Sequence, residues 1–169
     1  LRGIELQATA GTPNLRGQET IRRYRAEADR CGIEIPSLAG ILDRGVKAAD
    51  PAAAESIRLT IRAARELGSR VLLLAFFRQD APDMTRKESY GPIVNMLRQV
   101  AAAAGDANVV IGLENSLSPA DNARLVDQVG LERLERAPGG LRSELEISGK
   151  LAHRGQETAH CVSPRGNVG

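Results

Sequence analysis

Glu114 is the residue of this sequence whose position is most suited to chemistry, because it directly follows the apolar run Val109–Leu113. Side chains alternate between the two faces of a strand. This places Val110, Gly112 and Glu114 on one face, and Val109, Ile111 and Leu113 on the other. A carboxylate beside an apolar strand is costly to desolvate unless it is paired, hydrogen-bonded or bound to a cation. The spacing leaves two interpretations open: Glu114 is a metal ligand that doubles as a proton-transfer base, or it caps a helix or pairs with an arginine.

Three more polar residues lie at strand positions where they could support such a site. Glu5 and Gln7 alternate with Ile4 and Leu6 in the first apolar run, and Asn115 directly follows Glu114. We expect Gln7 and Asn115 to contact substrate. Glu5 lies one layer deeper, so we expect it to belong to a structural hydrogen-bond network.

Other candidates have weaker support. Ser37, interpreted as a loop residue after the second strand, has no companion for nucleophilic catalysis, because no histidine precedes His153. Arg78 follows the third apolar run and is a candidate for binding an anionic substrate group, with simple surface exposure as the alternative. His153, His160 and Cys161 match no specific metal-ligand spacing, and we interpret their proximity in the sequence as chance.

Four apolar runs of strand length would position these residues, and each is followed by a helical pattern. The runs are Gly3–Gln7, Ile33–Leu38, Arg70–Phe77 and Val109–Asn115.

The helices have recognisable ends. The first is predicted from Gln18 to Cys31, before Gly32, and the second starts at Asp50-Pro51 and ends before Gly68. The third is predicted to open with Thr85 and Glu88 in capping-box spacing, to be disturbed at Gly91-Pro92 and to end at Gly105. The fourth opens at Ser118-Pro119, with Asp121 three residues after the cap, and ends before Gly130.

This alternation predicts right-handed βαβ crossovers and a parallel sheet. A doubly wound nucleotide-binding sheet would normally have a G-x-G-x-x-G turn after its first strand, and no such turn is present. We therefore predict an α/β fold, a partial (β/α)8 TIM barrel of four strand-helix units over residues 1–130. Residues 131–169 are predicted to form an irregular, poorly ordered tail.

Length and composition exclude several classes of protein. A complete barrel needs roughly 250 residues, whereas this chain has 169 and starts with Leu1, so we expect part of a longer enzyme. The net charge is +2 with few aromatic side chains, which argues against nucleic acid as a partner. No apolar run is long enough for a membrane span. Two distant cysteines agree with a reducing, cytoplasmic protein.

The runs GIELQ, CGIEIPSLAG, DPAAAESIRLTIRAARELGSRVLLLAFF and VVIGLENSLSPADNARLVDQVG resemble strands two to five of the sugar phosphate isomerase/epimerase family, the xylose isomerase-like barrels. The resemblance covers roughly residues 3–130. It implies a divalent-metal enzyme, using Mn²⁺ or Mg²⁺, that moves a proton between adjacent carbons of a sugar, keto-sugar or sugar phosphate through an enediolate. It also implies two Glu, one Asp and one His as ligands, of which only the first Glu maps onto this chain, at Glu114.

The sequence departs from the family after Val129, where the strands that supply the other three ligands would begin. We therefore expect this chain to hold no metal tightly, to be inactive by itself, and to self-associate through unpaired edges at Gly3–Gln7 and Val109–Asn115. A reading-frame shift near residues 131–138 would explain the departure, and the DNA downstream of the Gly130 codon would decide. The alternatives are an endonuclease IV-like barrel, which needs several histidines, and a non-enzymatic degenerate barrel fragment.

Overall fold

The computed structural model describes residues 2–8, 14–40, 42 and 46–130 of the chain. Strands and helices alternate in the order β1 (Gly3–Gln7), α1 (Gln18–Cys31), β2 (Glu34–Gly40), α2 (Pro51–Leu67), β3 (Val71–Phe76), α3 (Lys87–Ala107), β4 (Val110–Asn115) and α4 (Pro119–Val129), with a short 3-10 helix at Arg78–Asp80 before α3. The predictions for the tail, including those for His153, His160 and Cys161, lie outside these residues.

The four strands form one parallel sheet whose spatial order, β1-β2-β3-β4, follows the chain. Each helix also packs against the next, α1 on α2, α2 on α3 and α3 on α4. A doubly wound sheet instead reverses its strand order at a switch point. The observed arrangement is that of consecutive units of a (β/α) barrel, which confirms the predicted fold class.

One face of the sheet carries the core. Leu6, Leu38, Leu72 and Ile111 lie side by side across the four strands, and all four are buried. They pack in one cluster with apolar residues of the helices, including Ile57, Ile61, Met96 and Leu97. Each buried leucine or isoleucine contributes roughly 1.5–3 kcal/mol, so this face holds the helices on the sheet.

The opposite face, which we call the inward face, carries three rows of side chains. From the amino to the carboxyl end of the sheet, they are Glu5, Ser37, Val71 and Val110; then Gln7, Ala39, Leu73 and Gly112; then Ala75 and Glu114. Val71, Leu73 and Ala75 are only half-buried, whereas their neighbours Leu72 and Leu74 are buried. Within the described residues, the inward face is therefore less covered than the helix face.

Most of the predicted helix ends are confirmed. The Asp50 side chain accepts a hydrogen bond from the Ala52 backbone N–H at 2.8 Å at the start of α2. Ser118 does the same for the N–H of Asp121 at 3.1 Å at the start of α4. Helices α1, α2 and α4 end at glycines in the left-handed conformation, as expected for Gly at this position.

The start of α3 differs from the prediction, because Thr85 does not cap it. The Thr85 hydroxyl and backbone N–H instead donate to Asp83 Oδ1, at 2.6 and 2.9 Å. These bonds, together with Arg86, lower the pKa of Asp83 to about 2. A carboxylate two residues away is a strong local acceptor for a threonine hydroxyl, so it removes Thr85 from the capping position.

Two boundaries also differ. Helix α3 runs through Gly91 and Pro92 to Ala107, and Asn108, with φ 54°, caps its end, whereas the predicted end was Gly105. Strand β2 extends to Gly40, so Ser37 lies inside the strand and not in the loop after it. Its parallel pairing with β3 explains the extension, because Ala39 and Gly40 pair with Leu73 and Leu74.

Among the described residues, no helix is both long and apolar enough to cross a bilayer.

Candidate functional site

The carboxyl ends of parallel strands meet at one edge of a sheet, which in (β/α) barrels carries the functional groups. Glu114 lies at this edge on the inward face, level with Ala75 of β3. This is the placement that the alternation in β4 predicts. The helix-facing neighbours Ile111 and Leu113 are buried, whereas Glu114 is exposed.

The Glu114 carboxylate forms no hydrogen bond or ion pair with another described residue. Ser118, and not Glu114, caps α4. Arg124 of α4 pairs with Asp121 at 3.0 Å. Within the part of the chain that the structure describes, Glu114 therefore neither caps a helix nor pairs with an arginine. Its role as metal ligand and base stays a prediction.

Glu5 lies where the sequence places it, deeper in the sheet. The Ser37 hydroxyl donates to Glu5 Oε2 at 2.6 Å, and the two residues are paired across β1 and β2. Glu5 is level with Val110 of β4, which precedes Glu114 by four residues. Glu5 and Glu114 are therefore about 13 Å apart along the strand direction. The two carboxylates therefore cannot share one cation in this arrangement.

Gln7 lies one row above Glu5, level with Gly112, and is exposed. It is on β1, three strands from Glu114, or about 14 Å across the sheet. The described residues therefore do not bring Gln7 and Glu114 into contact, and the substrate-binding role of Gln7 stays a prediction.

Asn115 is the second residue predicted to contact substrate, and it takes part in a hydrogen-bond network on the helix side. It is level with the buried Phe76, its Nδ2 donates to Asn122 Oδ1 at 2.9 Å, and its Oδ1 accepts from the Leu117 N–H at 2.9 Å. Asn122, only 6% exposed, donates in turn to the carbonyls of Leu117 and Ser118. This network fixes the backbone that follows Glu114, whereas contact of Asn115 with substrate stays a prediction.

Asn122 was not predicted from the sequence as part of this site. A signal was available, because Asn122, Leu125 and Val129 recur at the spacing of a buried helix stripe. A polar residue on such a stripe needs hydrogen-bond partners inside the protein, and Asn115 with the β4–α4 loop supplies them.

The end of β3 contributes two exposed residues. Phe77, 42% exposed, directly follows the strand, and the exposed Arg78 comes next with φ 55°. They lie at the same carboxyl edge as Glu114, because Ala75 and Phe76 pair with Glu114 and Asn115.

A cavity of about 640 Å³ lies on the other side of β3, between α2 and α3. Its wall includes Leu74 and Phe76 from the helix-facing side of the strand, and the ion pair of Lys47 with Asp80, at 2.7 Å, lies at its rim. No residue of β4 lines it. Ala75, which is level with Glu114, does line it, so the cavity reaches the strand position beside Glu114 without including that residue.

The described residues contain no group of three or more His, Cys, Asp or Glu side chains that could hold a metal ion. Divalent magnesium and manganese are bound by several oxygen ligands. Glu114 supplies one carboxylate, and Asn115 is engaged elsewhere. By themselves, the described residues do not fit a tightly held metal.

The chain matches the family model described as "Xylose isomerase-like TIM barrel" over residues 1–135. It is 33% identical over 111 residues to a curated relative, 2-epi-5-epi-valiolone 7-phosphate 2-epimerase of Actinoplanes sp., and the match covers 64% of this chain and 40% of that protein.

Solved structures show the same fold. A xylose isomerase domain protein from Planctomyces limnophilus superimposes with a TM-score of 0.56 at 16% identity, covering 74% of this chain and 49% of that one. D-psicose 3-epimerase in the presence of D-fructose gives 0.55 at 15% identity, covering 75% and 50%. The chain thus spans about half the length of these two structures, and its match spans less than half the length of the curated relative. The relatives to which it is similar include sugar epimerases. The chain belongs to the family of xylose isomerase-like TIM barrels.

Proposed function

We propose that this chain carries half of a sugar isomerase or epimerase site, in which Glu114 binds a divalent metal and exchanges a proton with the substrate. The observation that supports the proposal is the exposed Glu114 carboxylate on the inward face at the carboxyl edge, without a partner among the described residues. The substrate class is a sugar or sugar phosphate, in keeping with the curated relative that acts on a 7-phosphate.

Proton transfer next to a carbonyl needs an acid and a base on opposite sides of the substrate. Among the described residues, the inward face offers a second carboxylate only at Glu5, about 13 Å lower and already bonded to Ser37. We therefore propose that the chain is truncated relative to an active enzyme and is inactive by itself. We also propose a cytoplasmic location, which fractionation of cells would test.

Calorimetric titration of the purified chain with Mn²⁺ is expected to give no micromolar binding, because one carboxylate leaves the ion largely hydrated. At low Mn²⁺ occupancy, NMR should nevertheless show paramagnetic broadening at Gly112–Asn115, and Glu114→Gln should remove it. Glu5→Gln is the matched control, since Glu5 lies on the same face but is already bonded, and it should leave the broadening unchanged.

Micromolar Mn²⁺ binding that Glu114→Gln abolishes would show that further ligands exist outside the described residues. Broadening centred on another acidic residue, unchanged by Glu114→Gln, would contradict the assignment of Glu114 as the metal ligand.

A non-enzymatic fragment that pairs with another chain is the second candidate function. The observation that favours it is that β1 and β4 are the two edge strands of the sheet. Among the described residues, each has a neighbouring strand on one side only. An unpaired strand edge exposes backbone N–H and C=O groups that can pair with another chain.

Sedimentation and light scattering across a concentration series are expected to show reversible self-association, since both sheet edges offer backbone hydrogen bonds. A monodisperse monomer at high concentration would contradict this, and would indicate that another part of the chain covers the edges. A chain that assembles but fails the Mn²⁺ broadening test at Glu114 would favour the non-enzymatic function over the enzymatic one.

A further inference from the structure

Arg78 has a backbone conformation that its place in the fold does not explain. The described residues with positive φ are Gly32, Gly68, Asn108, Gly130 and Arg78. The first four end helices, where the left-handed conformation closes the last turn and suits Gly or Asn. Arg78 instead follows β3, and a long side chain at φ 55° is uncommon and costs free energy. Strain of this kind concentrates at binding sites.

The Arg78 guanidinium is also without a partner among the described residues, although acidic residues lie close in sequence. Asp80 pairs with Lys47 at 2.7 Å, and Asp83 pairs with Arg86 at 2.8 Å. The two carboxylates of the β3–α3 connection are thus engaged with other cations. Arg78 remains an exposed, uncompensated positive charge at the carboxyl edge of the sheet.

The distance between Arg78 and Glu114 suits a small, extended substrate. Ala75 of β3 is paired with Glu114, and Arg78 lies three residues after Ala75, just beyond the end of the strand. With neighbouring strands about 4.8 Å apart and about 3.4 Å per residue, the two Cα atoms are at most about 11 Å apart. Because both side chains extend from these Cα atoms, the guanidinium and the carboxylate are close enough to contact opposite ends of one sugar phosphate.

We propose that Arg78 binds the phosphate of a sugar phosphate whose reacting carbon lies at Glu114, an inference that rests on the proposed function of this site. The planar guanidinium donates paired hydrogen bonds to phosphate oxygens, which a neutral sugar cannot match. The curated relative, which is a 7-phosphate epimerase, agrees with this substrate class.

The test is an NMR titration of the full chain with D-fructose 6-phosphate, D-fructose and inorganic phosphate. We expect the sugar phosphate to bind roughly 10- to 100-fold more tightly than the sugar, the gain of hydrogen bonds to a charged group. Arg78→Gln should remove this preference while leaving the weak binding of D-fructose unchanged. Arg62→Gln is the matched control, because Arg62 is an exposed arginine on α2 without a partner among the described residues, and it should change nothing.

Arg78→Gly separates loss of binding from loss of folding. Glycine adopts positive φ without strain, so this variant should be at least as stable as the parent chain and should still lose the preference for phosphate. An Arg78→Gly chain that keeps the preference would overturn the proposal.

The remaining outcomes distinguish this inference from the proposed function. Equal binding of D-fructose and D-fructose 6-phosphate near Glu114, unaffected by Arg78→Gln, would overturn the role of Arg78 and leave the sugar site standing. Inorganic phosphate binding as tightly as the sugar phosphate, with no shift at Glu114, would overturn the link between Arg78 and the substrate. Absence of any sugar-induced shift at Glu114 would instead count against the proposed function itself.

Discussion

Glu114→Gln is expected to lower kcat by about 10²- to 10⁴-fold in a complete barrel in which residues 1–130 of this chain replace the corresponding strand-helix units of an active relative. The reason is that glutamine keeps the size of the side chain but removes both the negative charge that binds a metal and the ability to accept a proton. Steady-state kinetics on the relative's own substrate, with the metal content of each variant measured, would give the value.

The same chimera with Glu5→Gln provides the control. Glu5 lies on the inward face but is hydrogen-bonded to Ser37 and about 13 Å below Glu114. We expect this variant to lose stability without a comparable loss of kcat. An active chimera that tolerates Glu114→Gln would contradict the proposed role of Glu114, and so would an equal loss for both substitutions.

The elements around this site could be predicted because they depend on local patterns. Strand alternation alone places Glu114 on the face of β4 opposite to that of Ile111 and Leu113, and the structure has the same arrangement. The caps at Asp50 and Ser118 were predictable for the same reason, since each forms a hydrogen bond within three residues of sequence.

The sequence-based prediction failed where two local interactions compete or where distant residues meet. Thr85 has the spacing of a helix cap, but its hydroxyl donates to Asp83 instead of capping α3. The partner of Asn115 is Asn122, which only the turn between β4 and α4 brings close enough. The φ of Arg78 could not be predicted, because nothing in the sequence around it requires a left-handed residue.

Leu72→Ala is expected to lower the free energy of unfolding by about 3 kcal/mol, within the range for buried leucines. Leu72 is 0% exposed and lies between Leu38 and Ile111 in the row of the sheet that packs against the helices. The truncation removes transfer free energy and leaves a cavity that neighbours on both sides are too constrained to fill. Urea denaturation, at a concentration where the chain is monomeric, would measure the change.

Leu73→Ala is the matched control, because the same residue type is truncated one position along the same strand but on the inward face. Leu73 is half-buried, with Ala39 and Gly112 beside it in the sheet, so we expect a loss of only about 1 kcal/mol. The difference between the two variants measures how much of the sheet's inward face is packed. If Leu73→Ala costs as much as Leu72→Ala in the monomer, the inward face is covered by another part of the chain, and Glu114 at its edge would then meet groups that the described residues do not include.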